Sequence, residues 1–103
     1  MIRVAMFFPN DEGSIFNHDY YMNRHLPMAK SLLEPVGLIK MEVEKGISDT
    51  DPDAPPRFHV ISGMIFNSVE EVHSAFISTA RELLGDTKNY TDVKPMFQIS
   101  EIL

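Results

Sequence analysis

The chain has 103 residues, a length that suits one domain and is far short of the ~250 residues of a (β/α)8 barrel or of a full dinucleotide-binding fold. Hydrophobic residues make up 44% and charged residues 23%, with 9 Lys+Arg against 15 Asp+Glu for a net charge of −6. That balance repels phosphate backbones and anionic lipid, so neither nucleic acid nor a membrane surface is expected as a partner. The absence of cysteine removes disulfides, thiolate metal sites and a cysteine nucleophile. The apolar opening, Ile2 to Phe8, is too short for a secretory leader and is interrupted by Arg3, and no run approaches 18 apolar residues, so a cytoplasmic location is expected.

In chain order, Ile2 to Pro9 reads as a strand closed by the turn residues Pro9, Asn10, Asp11, Glu12 and Gly13. A helix is predicted from about Asn17, a good N-cap, to Glu34, stopped by Pro35 and Gly37. Pro27 inside it cannot donate to the carbonyl of Asn23 and predicts a kink. Leu38 to Lys45 alternates apolar and charged residues, as a strand does. Gly46 to Arg57, with three Asp and three Pro in twelve residues, reads as a mobile surface loop. Phe58 to Asn67 is the next strand. Ser68-Val69-Glu70-Glu71 is a capping box opening a second helix with Val72, Phe76, Ala80 and Leu83 as its buried stripe. Gly85 ends it, and Val93 to Leu103 is the last strand, with Pro95 fitting an edge.

The order β-α-β-β-α-β predicts an α+β, ferredoxin-like fold with an antiparallel sheet. Two helices cover one face of such a sheet, yet the strands are apolar on both: Ala5 and Phe7 oppose Ile2, Val4, Met6 and Phe8, Ile61 and Ile65 oppose Phe58, Val60, Met64 and Phe66, and Met96 and Ile102 oppose Val93, Phe97, Ile99 and Leu103. A second copy of the sheet is the simplest cover, which predicts a homodimer.

Among candidate sites, His18 and His25 lie two helical turns apart, but no neighbouring carboxylates share that face and no metal site is assigned. His73 falls on the exposed side of the second helix. Asp49 to Asp53 opens like a calcium loop but has Ala54 where glycine is needed and Val60 where the bidentate Glu should stand, so it is read as an acidic turn. Without a secretory leader, the sequon Asn89-Tyr90-Thr91 is read as accidental. Tyr21 and His25, four apart, stack on one helix face, where imidazole can act as general acid or base beside an orienting phenol. A helical Tyr/His pair packed on a sheet also occurs as a plain core contact.

The stretch Phe16 to Pro27, with its Asp19-Tyr20-Tyr21 and His25-Leu26-Pro27, resembles the signature of the EthD family. So do the opening Met1-Ile2-Arg3-Val4, Phe66-Asn67-Ser68, and the tail Asn89-Tyr90-Thr91-Asp92 with Gln98-Ile99-Ser100. The resemblance spans nearly the whole chain and implies one dimeric α+β barrel domain over residues 1–103. The family is named for a protein linked to bacterial degradation of ethyl tert-butyl ether, and its members are often labelled reductases. Its wider superfamily includes cofactor-free monooxygenases, muconolactone isomerases and methylmuconolactone methylisomerase. For this chain it implies a cavity between helices and sheet for a small apolar molecule. His25 would be the acid/base and Tyr21, or Tyr20, the orienting phenol. Asn89 and Tyr90 would stand at the pocket mouth, and Gln98 would point inward from the last strand. No cofactor is implied, and no GxGxxG or cysteine ligand is present.

Three readings remain open on the residues. The chain is a small cofactor-independent enzyme moving a proton on a hydrophobic cyclic or aromatic carbonyl or enol, in an isomerase-, lyase- or oxygenase-like step. Alternatively it is a non-catalytic binder of an apolar metabolite in a degradation pathway. In the third reading it is an accessory factor docking through Asp49 to Asp53.

Overall fold

The computed structural model describes residues 1–103. The strands are β1 (Ile2–Pro9), β2 (Lys40–Lys45), β3 (Phe58–Phe66) and β4 (Met96–Glu101). They form one antiparallel sheet in the order β2-β3-β1-β4. Residues 18–36 form a composite helical run, α1, and Val69–Gly85 form α2. This is the ferredoxin-like α+β arrangement, with both helices on one face. No helix is long and apolar enough to cross a membrane.

Alternation along β1 sets which face is which. Ile2, Val4, Met6 and Phe8 are buried toward the helices, and the register brings Phe66, Met64, Ser62 and Val60 of β3 opposite them. Two apolar clusters result. One joins Ile2, Val4, Met64 and Phe66 to Leu33, Val72 and Ala75. The other joins Met6, Phe8 and Val60 to Tyr21, Leu26, Tyr90 and Val93. Phe8 is the hub of the second, with the rings of Phe16, Tyr21 and Tyr90 at 5.1, 5.7 and 5.8 Å in edge-to-face contact.

The opposite face is open and mixed. Phe58, expected on the face of Val60, Met64 and Phe66, is here instead: a shift of register at Phe8/Pro9 brings it against Phe7, ring centroids 5.3 Å apart. Phe7, Phe58, Ile61 and Met96 leave apolar surface there, and Arg3 pairs with Glu42 at 2.9 Å farther along.

Local chemistry accounts for the boundaries. Asn17 caps α1 by accepting from the Tyr20 amide at 3.0 Å, and Ser68 caps α2 by accepting from the Glu71 amide at 3.2 Å. Gly37 ends α1 at φ 116°, a left-handed conformation that suits glycine. The loop 46–57 lies at the surface, with Asp49 and Arg57 joined at 3.0 Å.

Two expectations about the elements change. The last strand begins at Met96, directly after Pro95, and not at Val93, which is instead packed beside Tyr90 in the core. In place of the expected kink, α1 has a π turn, Tyr21–His25, that ends two residues before Pro27. Widening that turn keeps the proline ring clear of the Asn23 carbonyl, and Pro27 then falls in the first turn of the α-helical part, Leu26–Leu33, where no N–H is required.

Candidate active site

The start of α1 is tied to the segment before β4. Phe16 bridges Thr91, the Asn17 amide donates to the Tyr90 carbonyl at 2.7 Å, and the Thr91 hydroxyl donates to the Ile15 carbonyl at 2.6 Å. The Asn89-Tyr90-Thr91-Asp92 stretch therefore fixes where the helix begins, and the π turn fixes where Tyr21 and His25 point. Their rings stack at 5.2 Å and 15°.

His25 is 5% exposed, and its Nδ1 lies 2.8 Å from Oδ2 of Asp86. A carboxylate only accepts, so Nδ1 carries the hydrogen, and Nε2, which has no protein partner, is left as the basic atom. Oδ1 of Asp86 accepts from the Tyr20 hydroxyl at 2.7 Å and the Asn89 amide at 2.8 Å. Burial pushes the Asp86 carboxyl up, but the hydrogen bonds from Asn89, His25 and Tyr20 outweigh it and hold the group below its ordinary value. The bond to Asp86 conversely raises the Tyr20 phenol.

Asp86 is the functional candidate that sequence reasoning passed over. It caps the C-terminal end of α2, where the helix dipole disfavours an anion. An acid at that place, directly after Gly85, breaks a local rule and was the one available signal.

The Tyr21 hydroxyl pairs with Ser62 Oγ of β3 at 2.5 Å. Burial raises the Tyr21 phenol, only partly opposed by that bond, so it is a hydrogen-bond partner and not a base near neutral pH. One hydroxyl donates to the other, and the acceptor of the two keeps its own hydrogen for a ligand.

These groups sit at one wall of a cavity of ≈ 270 Å³ between the sheet and the helices. Twelve of its fifteen lining residues are hydrophobic, among them Met6, Met41, Met64, Phe76 and Phe97. A mostly apolar cleft with a few converging polar groups is the usual form of a small-molecule site. The predicted stripe of α2 is split by it. Val72 is fully buried, whereas Phe76, Ala80 and Leu83 are only partly buried because they border the cavity.

The sequence-predicted residues separate into four places. His25 and Tyr21 line the cavity, while Tyr20 and Asn89 do not and instead bond to Asp86, the partner of His25. Tyr90 is not at a mouth: it is 2% exposed and lies behind His25, with ring centroids 4.7 Å apart. Its hydroxyl and that of neighbouring Thr87 are buried with no partner beyond each other, and burial raises the Tyr90 phenol strongly, only partly opposed by Thr87. Gln98 does not point inward: opposite Ala5 in the ladder, it sits on the open face and bonds to Ser100 at 3.0 Å.

His18 and His25 do not share a site, since His18 packs on Phe16 at 4.9 Å, and no three His, Asp or Glu side chains gather to hold a metal ion. Burial, then Lys45 and His59, lowers His18. Ser14 and His59, 2.8 Å apart, are not a nucleophile and base. The Ser14 proton goes to the Asp11 carbonyl, so His59 is the donor.

Fold and site together define a ferredoxin-like α+β protein with an apolar cavity and a His-Asp pair at its wall. The chain is similar in structure to an EthD-like protein from Ralstonia eutropha JMP134, with a TM-score of 0.92 and 39% identity over 99% of this chain and 91% of that one. An ethyl tert-butyl ether D family protein from Bacillus halodurans C-125 follows at 0.72 and 18%, over 100% and 99%. SnoaB, a cofactor-independent oxygenase from Streptomyces nogalater, shares the fold at 0.63 and 4%, over 98% and 90%. Neither a family model nor a curated protein matches the sequence. The chain belongs to the EthD family.

Proposed function

We propose that the chain is a small cofactor-independent enzyme that moves a proton on an apolar cyclic carbonyl or enol compound. The observation that carries this reading is the pairing of His25 with Asp86, which leaves Nε2 free in a residue lining an apolar cavity. In the step envisaged, Nε2 removes a proton next to a carbonyl, and the electron pair of that C–H bond becomes the enolate. The free hydroxyl hydrogen of the Tyr21–Ser62 pair bonds the enolate oxygen. Asp86 stabilises the imidazolium, which returns the proton to the same or another carbon. Isomerisation, elimination and activation of an enol toward oxygen all begin with this removal.

The reading is tested by incubating the protein with 2-tetralone in deuterium oxide and following loss of the α-proton signals by NMR. Wild type accelerates exchange over buffer, and His25→Ala loses ~10²–10⁴ of that acceleration, the usual worth of a positioned acid/base. A protein that binds the ketone and returns it without added deuterium is a binder, and the catalytic reading then fails.

The same reading includes a homodimer closed over the open face, supported by Phe7, Phe58, Ile61 and Met96 standing there without a cover.

A further inference from the structure

We propose that the cavity takes an uncharged ligand head first, with an oxygen function seated against Tyr21, Ser62 and His25 and an apolar tail leaving between Leu84 and Phe97. The inference rests on the proposed function only in taking this cavity as the ligand site.

Exposure sets the direction. Tyr21, His25, Ser62 and Thr79 are all at or below 5% exposed, whereas Leu84 is 50% and Phe97 44% exposed. The polar groups thus lie in the buried part of the cavity, as Leu33 and Ala29 do, and the rim is formed by the last turn of α2 and the edge strand β4. A tail of any polarity could enter such an opening, but only an apolar one gains from contact with Leu84, Phe97 and Leu83.

Charge sets the class. The cavity wall contains no Lys, Arg, Asp or Glu. The one side chain there that can carry positive charge is His25, and its Nδ1 is already taken by the Asp86 carboxylate at 2.8 Å. A ligand carboxylate or phosphate in that buried part would therefore be buried without a counter-charge and close to another anion, which is strongly unfavourable. A neutral enol or phenol fits better. Its hydroxyl can donate to Nε2 of His25 and accept the spare hydrogen of the Tyr21–Ser62 pair. Thr79 adds no donor, because its hydroxyl proton is given to the Ala75 carbonyl at 2.7 Å.

The test is calorimetric titration of the full chain at neutral pH with 4-ethyl-, 4-butyl- and 4-hexylphenol and with the benzoates bearing the same tails. The dissociation constant of the phenols falls roughly fourfold per methylene up to the rim, and each benzoate binds at least about tenfold more weakly than its phenol, as an unpaired buried charge requires. Leu84→Asp flattens the dependence on tail length. Benzoates that bind as well as the phenols, phenol affinity independent of tail length, or no phenol binding at all would each overturn the proposal. Tail-dependent phenol binding without deuterium exchange into 2-tetralone sinks the acid/base reading and leaves this one standing. Exchange with preferred benzoates does the reverse.

Discussion

His25 Nδ1 and Asp86 Oδ2 stand 2.8 Å apart across a sequence separation of 61 residues. The contact joins the π turn of α1 to the C-terminal end of α2. It also gathers Tyr20 and Asn89, since both donate to the other oxygen of the same carboxylate. Three side chains, Asp86 directly and Tyr20 and Asn89 through it, therefore orient one imidazole.

Replacing Asp86 with Asn keeps an acceptor for Nδ1 but removes the charge that stabilises the imidazolium. We expect the rate of deuterium exchange into 2-tetralone to fall roughly ten- to a hundredfold, the range set by losing ~1.5–3 kcal/mol from a charge-assisted hydrogen bond. The affinity for 4-butylphenol should change little by comparison. An unchanged rate, measured on a variant whose circular dichroism matches wild type, would show that Asp86 has no positioning role.

The depressed carboxyl of Asp86 makes stability depend on pH in a definite direction. Well above the ordinary carboxyl value of 3.8 the group is ionised whether folded or not, and its contribution is complete. As pH falls below that value the unfolded chain takes up the proton first, and the contribution is lost by the time the folded group protonates. Urea midpoints at pH 7, 4 and 3 should therefore fall more steeply for wild type than for Asp86→Asn. Parallel profiles would remove Asp86 from the acid response.

Pro27→Ala restores an N–H able to bond the Asn23 carbonyl and so allows an ordinary α turn in place of the π turn. Loss of the extra residue would rotate Tyr21 and His25 by about 100° relative to the rest of α1. The expected result is unchanged or higher helical circular dichroism with an exchange rate lowered about 10²-fold, as misplaced catalytic groups produce. Full activity would mean that tertiary contacts, and not the proline, hold the wide turn.

Ile61→Glu places a charge among the apolar side chains of the open face. Native mass spectrometry should give two chains for wild type and one for the variant, with no loss of folded signal. A wild-type protein that is monomeric at micromolar concentration would end the homodimer reading.

The four strands, both helices and their caps follow from sequence alone because they depend on neighbours within a few positions. Alternation along β1, Asn17 and Ser68 as N-caps, and Gly37 as a stop are local properties, and each is where the residues place it, whereas β2 begins only at Lys40 and Leu38 joins the core. The Tyr21–His25 pair is legible for the same reason, being one turn of a helix. Tertiary structure decided the rest. Asp86 meets His25 only once the sheet register and loop lengths have set α2 beside α1. Tyr90 is buried behind the imidazole because its backbone pairs with Asn17. Gln98 falls on the open face because β4 pairs with β1 in one particular register, and in a strand a shift of one residue exchanges the two faces.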